Sequence, residues 1–197
     1  MTAETEIQQE AAVPANDPTA RQAMEEQAGE AIRKVIVNAF ITMAGMDATV
    51  GPRDQPCAAD DPRHSVSGII DWAGAWQGIG TLDCSPEFAC YLANLMLATQ
   101  STTMTQDAID AVAEMTNIIF GGMKRQLEPV FGRMDLNIPS VAVDEAAGSL
   151  HQAPKFTVIP VQIAEHSLQL KLLITQVKDA LSPPCLPEDD GTRAAKP

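Results

Sequence analysis

Ala31, Ile32, Val35, Ile36, Ala39, Phe40 and Met43 recur at three- and four-residue intervals. That spacing predicts a helix over about residues 24–44, ending near Gly45. A Pro-rich loop from Val50 to Arg63 follows, with room for one short strand. Ser65 to Ile70 and Gln77 to Leu82 then read as two strands joined by Asp71 to Trp76. Ser85-Pro86-Glu87 is a helix start, with a hydroxyl at the cap, proline in the first turn and an acid near the positive end of the dipole. This helix should run to about Thr99. After a polar linker, Gln100 to Met104, a second long helix is expected from near Thr105 to before Pro129. Ile138 to Val143 reads as a strand. Thr157, Ile159, Val161 and Ile163 alternate with polar positions, as do Leu168, Leu170, Leu172 and Ile174, and the polar Glu165-His166-Ser167 between them predicts a hairpin. Hairpin-paired strands with helices grouped in sequence indicate an α+β fold, a mostly antiparallel sheet packed by long helices.

The two ends lack these patterns. Residues 1–23, rich in Ala, Glu, Gln and Pro, read as an acidic disordered tail, and residues 182–197 as a Pro-rich, acidic one. One domain over 24–181 remains. The chain carries 26 Asp+Glu against 13 Lys+Arg, a net charge of −13, which argues against a nucleic-acid partner, since phosphate-backbone affinity comes mainly from Lys and Arg. No apolar run is long enough to insert in a membrane. Met1 to Glu10 has neither a basic nor an apolar segment of the export type, so a cytoplasmic location is expected. Cys57, Cys84, Cys90 and Cys185 form no CxxC pair and have no His at zinc-like spacing; reduced thiols are expected, and Cys84 and Cys90 suit core positions. His64, His151 and His166 fall among predicted loops and turns, which points to surface histidines and no metal site. Phosphate-cradling glycine motifs and a nucleophile elbow are both missing. Trp72 and Trp76 bracket Ala73-Gly74-Ala75; they either pack on a helix or the sheet, or form an exposed anchor for a partner.

The second long helix holds the candidate chemistry. On a wheel of about 100° per residue, Ile109, Val112, Thr116, Ile119, Met123 and Leu127 form an apolar face directed at the sheet. Asp107, Asp110, Glu114, Asn117, Gly121 and Lys124 line the opposite face. Glu114 and Asn117 are neighbours three residues apart. Gly121 lies one turn on, where a glycine costs about 1 kcal/mol of helix stability relative to Ala and so asks for a reason. Ala111 and Ile118 give an apolar shoulder beside Glu114. Charge, amide, clearance and shoulder suit a docking surface, although a polar stripe on a helix is also what solvent alone requires.

Glu114-Met115-Thr116-Asn117-Ile118-Ile119-Phe120-Gly121-Gly122-Met123-Lys124 reads E-x-x-N-x-x-x-G-x-x-K. It resembles the signature helix of the CheC/CheX/FliY family of chemotaxis phosphatases, CheX in particular. Ser67-Gly68-Ile69-Ile70, Gly78, the helix from Ser85 and Asn137-Ile138-Pro139-Ser140 fit the same order. The resemblance covers about residues 28–175 and implies a CheX/CheC-like fold. It implies hydrolysis of the aspartyl-phosphate of a CheY-type response regulator. In that chemistry the catalyst mainly positions a water in line with the leaving carboxylate. By the same carry-over, Asn117 orients the water, and Glu114 pairs with a receiver Lys. Asp110, Ala111, Ile118, Gly121 and Lys124 form the surrounding contact surface. Mg²⁺ belongs to the phosphorylated receiver, and the chain needs no cofactor or metal of its own. A homodimer is implied too, with the 157–174 hairpin as an available edge. No second E-x-x-N occurs on the first helix, since Glu25, Glu26 and Glu30 are followed three residues on by Ala28, Gly29 and Arg33. The alternative is a non-catalytic receiver-binding adaptor or a motor-switch-like assembly module on the same fold.

Overall fold

A computed structural model of the protein describes residues 18–52, 65–143 and 156–175. Helix α1 spans Pro18–Ala44 and so begins ahead of residue 24. Pro18 stands in the first turn, where a missing N–H is tolerated. Arg21 pairs with Glu25 at 2.9 Å, Gln22 bonds Glu26 one turn on, and Met24 is fully buried, so the early turns gain both surface pairs and a core anchor. Gly45, at φ 65°, ends the helix where the periodicity placed its stop.

The chain continues through β1 (Thr49–Val50), β2 (Val66–Gly74), β3 (Gln77–Cys84), α2 (Pro86–Leu97), α3 (Gln106–Phe131), β4 (Met134–Leu136), β5 (Ser140–Val143), β6 (Thr157–Ile163) and β7 (His166–Thr175). The seven strands form one antiparallel sheet in the order β1-β6-β7-β3-β2-β4, with β5 also on β2. The fold is therefore α+β, as expected. Ser85 caps α2 by accepting the Phe88 N–H at 3.2 Å.

Three local expectations are corrected, and the open choice for the two tryptophans falls to packing in the core. Strand β2 runs on through Gly74, so Trp72 lies in a strand and not in a connecting turn. Both Trp72 and Trp76 are buried, the first stacked on Phe120 and the second edge-on to Phe131, which removes them as an exposed anchor. Helix α3 passes Pro129 because Phe131, buried against Trp76, holds its last turn in the core. Strand β5 begins at Ser140; Ile138 projects at 92% exposure from a bulge that Asn137 ties to the Asp71 carbonyl. His166 opens β7 half-buried beside Tyr91 and Phe88, and His64, His151, Cys57 and Cys185 lie outside the described residues.

The 157–174 hairpin is less of an edge than its alternation suggested. Strand β7 is interior to the sheet, and β1 covers β6 at Val161 and Gln162. Pro160, whose carbonyl takes the Gly51 N–H at 2.8 Å, has no N–H to offer on that side.

One face of the sheet carries the helices. Val66, Ile70, Trp72, Leu82, Leu168, Leu170, Leu172 and Ile174 form the core there with Val112, Ile119, Phe120 and Met123 of α3 and Ile32, Ile36 and Phe40 of α1. On the opposite face, Ser67, Thr81, Asp83, Gln169 and Lys171 are buried as well. They are cross-strand neighbours, and Lys171 Nζ lies 2.9 Å from Asp83 Oδ2.

Candidate functional site

The rotation of α3 about its own axis decides what its outer stripe presents, and three close approaches hold it. Thr116 donates to the Val112 carbonyl at 2.7 Å, and its hydroxyl occupies the space a Cβ at Gly68 would need. Phe120 lies over Gly80 in the same way and stacks on Trp72 with centroids 6.3 Å apart. The glycines at the centre of β2 and β3 therefore admit α3 side chains that a larger residue would displace. Val112, Thr116, Ile119, Met123 and Leu127 are buried as the wheel required, and Ile109 is half-buried at the margin.

Glu114 and Asn117 are both exposed on the opposite side. Among the described residues neither makes a side-chain hydrogen bond or ion pair, so the carboxylate and the amide are available to a partner. A Cβ built on Gly121 meets nothing within 4 Å, whereas one on Gly122 comes 2.5 Å from Val35 Cγ1 of α1. Gly122 is thus explained by helix packing and Gly121 is not. Asp110 is exposed and accepts from Gln106 at 2.8 Å. Lys124 is half-buried and tied to Glu128 at 3.5 Å. Ile118 is half-buried. Ala111 is only 4% exposed and belongs to the core, because its short side chain lies on the flank of the helix that turns under; it cannot serve as part of an exposed shoulder.

Two features beside the stripe escaped sequence reading. A groove of about 360 Å³ runs along the seam where α1 packs on α3, lined by Val35, Thr42, Met43, Ile118, Gly122 and Arg125 among others. Arg125 is exposed at its C-terminal part and, among the described residues, has no ion pair. The stripe is therefore polarised, with Asp107, Asp110 and Glu114 toward the N-terminus of α3 and Arg125 toward the C-terminus. This order also complements the helix dipole. The residue spacing holds the signal for Arg125, but the groove depends on α1 packing beside α3.

Perturbed titration lies away from the stripe. Burial, reinforced by Asp83 and Cys90, pushes the Cys84 thiol far above its ordinary range, and burial raises Cys90 too. Glu87 is held below the usual carboxylate range by its own backbone N–H and the Ser85 hydroxyl. Among the described residues, no group of three or more His, Cys, Asp or Glu could hold a metal ion, and no helix is long and apolar enough to cross a membrane.

The α+β core is similar in fold to CheC/CheX-like chemotaxis proteins. A CheC-like superfamily protein from Shewanella sp. PV-4 superposes with a TM-score of 0.64 at 19% identity, over 76% of this chain and 97% of that one. The CheX–CheY–BeF₃–Mg²⁺ complex from Borrelia burgdorferi gives 0.63 at 17%, over 75% and 97%. The chemotaxis protein CheX from Desulfovibrio desulfuricans gives 0.61 at 20%, over 75% and 99%. The chain is CheX-like in sequence as well: residues 66–162 match the family model described as chemotaxis phosphatase CheX. No curated protein matches.

Proposed function

We propose that the protein docks on a phosphorylated CheY-type receiver and accelerates hydrolysis of its aspartyl-phosphate. The observation that carries this reading is the pair Glu114 and Asn117, exposed, adjacent and without a side-chain partner among the described residues, on a helix whose rotation is held by the sheet. A carboxamide both donates and accepts hydrogen bonds and brings no negative charge toward a phosphoryl group. Asn117 can therefore orient the attacking water, the main service such a reaction asks of a protein. Glu114 would be repelled by the phosphoryl oxygens unless a cation intervenes, so its role is to pair with a receiver Lys and set the register. The Mg²⁺ that neutralises those oxygens is the receiver's. Open space at Gly121 leaves room for the receiver surface to close over the stripe.

The test is phosphate loss from a phosphorylated receiver with parent and Asn117→Ala proteins. Asn117 is exposed and makes no side-chain bond among the described residues, so the variant should keep the parent's circular dichroism and melting behaviour while losing the acceleration. Full activity in Asn117→Ala would refute the mechanism. The adaptor reading loses one of its motivations, because Trp72 and Trp76 are both in the core. Receiver binding without any rate effect would select it nonetheless.

A further inference from the structure

We propose that the α1–α3 groove receives an apolar, carboxylate-bearing segment of the same receiver, and that Arg125 pairs with that carboxylate to set the receiver's choice and orientation. The inference rests on the phosphatase reading, since it takes Asn117 as the point of insertion.

Position comes first. Arg125 lies eight residues beyond Asn117, about 12 Å along α3 at 1.5 Å per residue and about 80° around it. A standard interface covers roughly 800 Å² on each partner, a disc of about 16 Å radius. A receiver seated on Asn117 therefore reaches both the groove and Arg125. The groove walls include Val35, Met43 and Ile118, which offer apolar surface beside the polar stripe.

Charge decides what the segment carries. Lys124 is already tied to Glu128, so it is not the cation on offer. Arg125 lines the groove, exposed and unpaired among the described residues, in a chain whose net charge is −13. An arginine fork matches a carboxylate bidentately. Long-range attraction toward an acidic partner is weak for such a chain, so a local cation at the groove has to supply it.

The order of charges also selects one pose. Glu114 and Arg125 are eleven residues apart on neighbouring parts of the stripe, about 16 Å at the same rise. A receiver that places its Lys over Glu114 and its carboxylate over Arg125 has both pairs satisfied. Rotated end for end, it meets like charges at both points.

The experiment uses full-length protein, a panel of phosphorylated CheY-type receivers, and the same receivers loaded with beryllofluoride and Mg²⁺ for binding. Arg125→Glu should raise KM about tenfold with kcat within about twofold, because a rim charge acts on encounter more than on chemistry. Arg125→Lys should fall between, keeping charge but losing the fork. Thr42→Trp, an exposed change on the groove wall, should raise KM similarly. Arg133→Glu, the same reversal at an exposed residue just before β4 that pairs with Asp135, should leave KM unchanged and so separates a local from a net-charge effect. If the parent accelerates phosphate loss and Arg125→Glu keeps the parent's KM, the groove inference is overturned while the catalytic reading stands. If the parent binds the beryllofluoride receiver without accelerating hydrolysis, and Arg125→Glu weakens that binding tenfold, the docking inference stands and the catalytic reading falls. A parent that neither binds nor hydrolyses any receiver of the panel overturns both.

Discussion

Gly121 and Gly122 stand side by side in α3, yet adding a methyl group to each should shift stability in opposite directions. A glycine in a helix interior costs about 1 kcal/mol relative to Ala. At position 121 the new Cβ has nothing within 4 Å, so the whole gain is realised. Gly121→Ala should stabilise the fold by about 1 kcal/mol, raising Tm by roughly 2–4 °C for a domain of this size. At position 122 the Cβ would sit 2.5 Å and 2.8 Å from the two methyl carbons of Val35. A β-branched side chain has little rotamer freedom to move aside. Overpacking of this kind costs about 1–3 kcal/mol against a propensity gain of about 1, so Gly122→Ala should be destabilising by up to about 2 kcal/mol. Urea denaturation followed by circular dichroism, with the m-value checked for constancy, reads both. Gly121→Gln carries the argument to function: Gln has nearly the helix propensity of Ala, but it projects into the space a docking receiver would need. That variant should be as stable as the parent or more so, and should lose receiver-phosphate acceleration. A stable Gly121→Gln protein with the parent's activity would show that the open space is not clearance, and a destabilised Gly121→Ala would show that the outer stripe is misplaced.

Phe120→Ala removes the ring stacked on Trp72 and empties the space above Gly80; it should cost about 3–5 kcal/mol and shift tryptophan emission, and a loss under 1 kcal/mol would contradict the packing. Lys171→Met strips the 2.9 Å partner from buried Asp83 and should cost about 3–5 kcal/mol, with Asp83→Asn in the same chain recovering much of it in a double-mutant cycle. Because burial raises the native Cys84 thiol, the unfolded chain ionises first as the solution becomes alkaline. The protein should therefore keep its stability below the unfolded thiol's pKa of about 8.5 and lose up to about 1.4 kcal/mol per pH unit above it through this group. Comparing urea midpoints at neutral and alkaline pH in parent and Cys84→Ala checks this; equal losses would rule it out.

Much of α3 is legible from its residues, because a helix repeats every 3.6 positions and a broad sheet buries one stripe of it. Val112, Thr116, Ile119, Met123 and Leu127 point inward, and Glu114 and Asn117 outward, by that rule alone. The stop at Gly45 and the cap at Ser85 follow equally from local backbone chemistry. Ala111 escapes the rule because it lies on the flank, where burial depends on how closely α3 settles between its neighbours. Arg125 stands out only in the folded chain, for a related reason. Its spacing along the stripe is visible, but only the approach of α1 gives the place beside it a shape.

The amino-acid order by itself determined the α+β character, the long helix and the shared outer stripe of Glu114, Asn117 and Gly121, since each depends on interactions within a few residues. Tertiary structure decided which of those features matter to one another. It carried α3 past Pro129 because Phe131 had Trp76 to pack on, and drew Trp72 into a strand over Gly78 and against Phe120. It buried Asp83 with Lys171 on the sheet face away from the helices, where alternation alone would have left polar side chains in solvent. Such outcomes depend on contacts between distant segments, whose loop-closure entropy is offset only when the whole core assembles.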